Sequence, residues 1–176
     1  MAETKPKKPM SAIEALQTRS SSPRLTEPGP SPESLTYICK SALRAADHGL
    51  IRPWRFLIIE ADSRMKLGEL FLKASLAKTP NLEPQQKEKI KTKALRAPTI
   101  IVAITSPQSH PKVPDIEQEY STAAAVQNMS LAAYALGVGS VWRTGAFAYD
   151  EVVHQGLGLE KNEKIIGFLY IGTRSG

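Results

Sequence analysis

The run "PTIIVAITS", residues 98–106, constrains this chain more than any other stretch. Its centre, Ile100 to Ile104, is apolar without alternation, so a strand formed there must be covered on both faces. The rest of the chain therefore has to supply a sheet with a layer on either side. "WRFLIIE" (54–60) and "EKIIGFLYIGT" (163–173) read as further strands, and "SVW" (140–142) as a short one. Between them lie helical patterns. "SAIEALQTR" (11–19) opens with Ser11 as N-cap and Glu14 three residues on. "SPESLTYICKSALRAAD" (31–47) has Ser31 as N-cap and Pro32 in the first helical position. "DSRMKLGELFLKASLAK" (62–78) reads as a helix, "LEPQQKEKIKTKALR" (82–96) as a mostly exposed one, and "AYDEVVHQGLG" (148–158) as a short one. From Asp115 to Gly137 the pattern predicts the longest helix, apolar well beyond one stripe and hence central, with Gly137 as C-cap. "SSSPRLTEPGPSP" (20–32) breaks all periodicity and reads as a loop. Helices alternating with apolar strands imply an α/β or α+β layered domain with a mixed sheet.

A chain of 176 residues fits one domain. "MAETKPKKP" has too little apolar surface to offset the entropy of ordering, so residues 1–10 are expected to be a disordered tail and 11–176 a single domain. Cys39 is the only cysteine, which rules out an intramolecular disulfide and fits a reducing, cytoplasmic setting. No apolar stretch reaches the roughly 20 residues a membrane helix needs. The formal charge of +6 first suggests nucleic acid. Most of it, however, sits in the tail and in Lys87, Lys89, Lys91, Lys93 and Arg96, which reads as a solvated helix rather than a nucleic-acid groove.

Three segments place arginine beside hydroxyls or histidine at element ends. Arg19 with Ser20, Ser21 and Ser22 could bind an anion through guanidinium, hydroxyls and loop amides; the same composition also suits a solvated linker. Arg44 and His48, four residues apart at a helix end, could share one face, although cations there also simply complement the helix dipole. Trp142, Arg143 and Thr144, between Gly139 and Gly145, would suit a planar electron-accepting heterocycle or a plain glycine-rich turn. His110 and His154 have no ligand partners at useful spacing, so no metal is expected. Asp115, Glu117 and Glu119 fit a first helical turn.

In order and spacing, "AIEALQTRSSSPRL", "ALRAADHGLIRPWRFLIIE", "RAPTIIVAI", "KVPDIEQEYSTAAAVQNMSLAAYALGVGSVWRTGAF" and "IIGFLYIGT" resemble the compact bacterial branch of the FMN-dependent nitroreductase family. The resemblance implies an α+β fold, a mixed sheet wrapped by helices, and an obligate homodimer with flavin sites at its interface. It implies that Arg19, Ser20 and Ser21 hold the phosphate and ribityl chain, that Arg44 and His48 reach the flavin of the other subunit, and that Trp142, Arg143 and Thr144 line the ring. Ala132, Ala133, Tyr134, Ala135, Leu136 and Gly137 fall where the nicotinamide would lie. The implied activity is NAD(P)H oxidation, with NADPH or NADH as donor, coupled through FMN to nitroaromatic, quinone-like or other small conjugated acceptors. No side chain need act as a nucleophile.

Two departures motivate an alternative, a flavin-binding or degenerate protein without turnover. The wider family often reads Arg-Arg-Ser where this chain has Arg19-Ser20-Ser21, which implies a weaker phosphate grip. Members of the branch also continue about twenty residues past the last strand, a tail expected to cross the partner, whereas "TRSG" leaves little chain for docking.

Overall fold

The computed structural model describes residues 10–175. The expected disordered tail therefore falls, but for Met10, outside the described residues. The elements are α1 (Ala12–Thr18), β1 (Leu25–Thr26), α2 (Pro32–Ala42), β2 (Trp54–Glu60), α3 (Asp62–Lys78), α4 (Pro84–Lys91), β3 (Thr99–Thr105), α5 (Asp115–Ala135), β4 (Gly139–Arg143), α6 (Glu151–Gly156) and β5 (Lys164–Arg174). Short 3-10 turns occur at 48–50, 92–95 and 146–149.

β3 lies between β2 and β5, and all seven of its residues are buried, as its unbroken apolar run requires. β5 carries β4 along most of its other edge and β1 at its end. The class is α+β as expected, but the mixed sheet is not found: every pairing among the described residues is antiparallel. The reason lies in the connections, which return each strand against its neighbour's direction.

Two cores follow from the two covered faces. On one, Phe71 and Leu67 of α3, Ala94, Ala148 and Val153 pack over Ile100, Val102, Phe168 and Tyr170. On the other, Ile38 and Ala42 of α2 and Ala125, Val126, Met129 and Ala133 of α5 pack over Ile101, Ala103, Leu169 and Ile171. Burying these nineteen side chains and their neighbours, at about 25 cal/mol per Å² of apolar area, is what offsets the chain's lost entropy.

Local signals explain the boundaries. The Ser11 hydroxyl accepts from the Glu14 amide at 3.1 Å, and Ser31 does the same for Ser34 at 3.1 Å. At the end of α5 the Val138 amide donates to the Ala133 carbonyl and the Gly137 amide to Tyr134, with Gly137 at φ 77°. That pair of bonds is a Schellman motif. α2 stops at Ala42, five residues before its expected end, so Arg44 and His48 lie beyond the helix rather than on one of its faces. The chain there closes with tight turns, and Leu50 and Arg52 take positive φ.

Candidate functional site

β4 organises the site because it meets a different candidate segment at each end. At its start the Ser22 amide donates to the Ser140 carbonyl at 2.8 Å, which fixes the Arg19–Ser22 loop against the strand. Arg19 is half-buried as the C-cap of α1, while Ser20 and Ser21 are exposed. Arg174, paired with Leu25 across β1 and β5, crosses the same corner. Its guanidinium stands 4.4 Å from the centre of the Tyr134 ring. Gly139 leaves room for this approach, since a β-carbon there would lie 2.7 Å from both Arg174 Cγ and Leu25 Cδ2. The corner thus brings the Arg19–Ser22 loop, with Ser20 and Ser21 exposed, beside the strand end that carries Arg174, residue types suited to an anion.

At the other end β4 runs into a cavity of about 610 Å³, within the range of small-molecule sites. Phe71 and Phe147 stack at 4.2 Å and Phe168 meets Phe71 edge-on, giving it an aromatic wall. Arg143, Thr144, Lys93, Arg96 and Lys78 bring polar and cationic groups to it. The strand's alternation separates Trp142, which packs with the α2/α5 core, from Arg143, which lines the cavity, and Thr144, just past the end of β4, lines it too. Gly167 opens the space the Trp142 indole occupies.

Two buried nitrogens, Trp142 Nε1 and Arg143 Nε, have no hydrogen-bond partner among the described residues. Such orphans are uncommon in protein interiors and mark where a ligand or water can pair. The Arg143 guanidinium also stands 5.8 Å from the Tyr170 ring. Burial pushes the Tyr170 phenol above its ordinary value, against the pull of Arg143 and Arg96, so it stays protonated. Lys93 lies 4.9 Å over Phe147 and is lowered by burial, then by Arg96 and Lys89.

Arg44 and His48 are not brought together. Arg44 is exposed in a shallow apolar groove with Leu16, Asn128, Ala132 and Ala135. His48 instead pairs through Nδ1 with the Glu117 carboxylate at 2.7 Å, at the start of α5. Neither lines the cavity on the same protomer. Of the segment 132–137, Ala133 is core, Tyr134 lies under Arg174, and Ala135, Leu136 and Gly137 are exposed. Among the described residues no group of acids, histidines and cysteines could hold a metal, and no helix is long and apolar enough to cross a membrane.

Sequence reasoning missed Lys93 and Arg174. Lys93 was counted with the solvated cations, and only the tight turn after α4 aims it inward. Arg174 offered a signal in being the one cation at the end of the last strand, beside the segment that pairs with the serine loop.

The arrangement is an antiparallel sheet between helical layers, with an anion-suited corner at one end of β4 and an aromatic, cation-lined cavity at the other. The model of the Nitroreductase family matches residues 15–173, and the chain belongs to that family. It is 37% identical over 164 residues to "Putative NAD(P)H nitroreductase YdjA" of Escherichia coli K12, covering 93% of this chain and 88% of that protein. It is 36% identical over 166 residues to "Putative NAD(P)H nitroreductase" of Haemophilus influenzae, covering 93% and 89%. Among solved structures, a nitroreductase-like family protein from Bacillus cereus superposes with a TM-score of 0.81 at 24% identity, covering 99% and 90%. A "putative nitroreductase in complex with fmn" from Desulfovibrio desulfuricans gives 0.70 at 23% identity, covering 94% and 87%.

Proposed function

We propose that the chain is an FMN-dependent NAD(P)H oxidoreductase of nitroreductase type, acting as a homodimer on nitroaromatic, quinone-like or other small conjugated acceptors. The observation that carries the reading is β4 itself, which joins an anion-suited corner to an aromatic, cation-lined cavity within five residues. FMN has that form, a phosphate at one end and a planar electron-accepting ring at the other. The unpartnered Arg143 Nε fits such a ring, and the FMN complex of a protein sharing the fold supports the same cofactor.

When bound, FMN supplies the chemistry, taking two electrons from NAD(P)H and passing them to the acceptor. The chain's residues bind and orient. Arg19, Ser20, Ser21 and Arg174 hold the phosphate, and their loss of freedom on binding is small because the Ser22–Ser140 bond and the Tyr134 ring already fix the corner. Arg143 and Lys93 place positive charge beside the ring, where negative charge develops on reduction. Thr144, which lines the cavity, would offer its hydroxyl to the ring, while Trp142 packs on the other side of the sheet. The Phe71–Phe147 stack excludes water from one side. Arg44 and His48 reach the site of the second protomer, with Glu117 orienting the imidazole. Ala132 to Gly137, the segment implied for the nicotinamide, lie at the corner end with Tyr134 under Arg174, so the donor's ring would instead meet the flavin at the cavity.

An anaerobic visible spectrum of protein supplied with FMN and freed of excess, before and after NADPH and then NADH, tests the reading. Bleaching of retained flavin is expected. Retention without bleaching would support a flavin-binding protein without turnover, and a colourless protein would refute the site. Sedimentation should show a dimer; a monomer that reduces acceptors would overturn the shared-site arrangement.

A further inference from the structure

We propose that the cavity beside β4 selects acceptors that carry a negative charge, with Arg96 as the selecting cation; this rests on the reductase reading above. Four cations line the cavity, Lys78, Lys93, Arg96 and Arg143, against one acid, Asp150. That acid is already engaged. One of its oxygens accepts from the Val152 and Val153 amides and the other is paired with Lys78. Burial alone would push the Asp150 carboxyl up, but Lys78 and those two amides hold it below its ordinary value, so it stays charged and committed.

Lys93, Arg96 and Arg143 have no acid partner among the described residues. Three like charges line one aromatic cavity, and Lys93 is depressed first by burial and then by Arg96 across that cavity and by Lys89 outside it. An anion entering the cavity offsets those charges; a neutral molecule of the same shape does not. The cofactor reading uses Arg143 and Lys93 at the ring. Arg96 is exposed and, among the described residues, unpaired at the mouth, where an incoming acceptor passes, whereas the charge of Lys78, also exposed, is taken up by Asp150. A cleft lined by one sign of charge with apolar walls concentrates counter-charged ligands. The stacked phenyl groups of Phe71 and Phe147 favour a flat ring. The substrate class is therefore a planar conjugated acceptor bearing a carboxylate or sulfonate.

The test compares binding of 4-nitrobenzoate and 4-nitrobenzyl alcohol to the FMN-loaded protein by equilibrium dialysis, a readout independent of turnover. The benzoate should bind roughly tenfold more tightly at low ionic strength. The preference should shrink at about 0.15 M salt, where screening over about 8 Å reaches the mouth. Arg96→Glu should reduce the ratio of the two affinities several-fold, and Lys78→Gln should reduce it less. Using the ratio removes differences in folded or loaded fraction between variants. A ratio of one in the native protein, or a ratio that Arg96→Glu leaves unchanged, would overturn the selection. Spectra of the same samples with NADPH and NADH separate the two ideas: a protein that bleaches with a ratio of one overturns selection alone, and one that does not bleach overturns the reductase reading and this inference with it.

Discussion

Replacing Arg55 by methionine isolates a bidentate ion pair between β2 and the residue before β5. Arg55 lies on β2 and donates to Glu163 twice, from Nε at 2.7 Å and from Nη2 at 2.6 Å, and again to the Gly158 carbonyl at 3.0 Å. Glu163 is buried, its side chain only 3% exposed, and it also accepts from the Glu160 amide. The Arg55 hydrogen bonds outweigh burial and, helped by the Glu160 amide and Ser106, lower its carboxyl from 4.5 to about 2. Such a drop is worth about 3 kcal/mol at 1.36 kcal/mol per unit, and about 2–3 once the solvated side of Arg55 is discounted. A lowered carboxyl stabilises the fold above its unfolded value and loses that contribution as pH falls through the folded one. Urea unfolding of native protein and Arg55→Met at several pH values should therefore give a difference of about 2–3 kcal/mol near neutrality that narrows between about pH 4.5 and 2. Other carboxylates titrate in both proteins and cancel. A difference below about 1 kcal/mol at neutral pH, or one that does not change with pH, would refute the reasoning.

Arg19→Ala should weaken FMN retention by roughly 1.5–3 kcal/mol, the value of a hydrogen bond to a charged group; unchanged affinity in a flavin titration would remove the phosphate assignment. Ala61→Gly should raise stability by about 1 kcal/mol in urea unfolding, because Ala61 holds φ 46° and ψ −129°, a region tolerated by glycine. No gain would mean that the turn before α3 is not strained. Gly68→Ala should cost about 1–3 kcal/mol, since a β-carbon there meets the Lys91 carbonyl where α3 crosses α4. A neutral result in thermal unfolding would show that the crossing can open.

The elements were most legible where cap and periodicity agree. The helix expected at 62–78 occupies those residues, and the strand expected from the apolar run is the buried centre of the sheet. α2 was read too long because "LRAAD" continues the helical composition, while the chain leaves the helix to reach β2 through Gly49, Leu50 and Arg52, all at positive φ. β1 was missed because two residues inside a proline-rich loop show no period; only their pairing with β5 makes them a strand. The antiparallel order was likewise invisible, since it depends on which edges meet. At the candidate site, composition revealed the arginine and hydroxyl segments but not their arrangement. Arg44 and His48 looked like neighbours and are not, and Lys93 looked solvated and lines the cavity. Those outcomes depend on turns at 43–52 and 92–95, where single residues redirect whole side chains.

β5 runs unbroken from Lys164 to Arg174 and borders both ends of the candidate site. Phe168 and Tyr170 line the cavity and Arg174 stands at the anion corner. At about 3.3 Å per residue, the strand sets some 20 Å between Phe168 and Arg174. It acts as a ruler. Pairing with β3 on one edge and with β4 and β1 on the other leaves that length little freedom to stretch or slip. A ligand that satisfies both ends is thus measured for length before any contact with its ring is made. A one-residue insertion in β5 between Tyr170 and Arg174 would change the reading of the ruler while leaving every named group present.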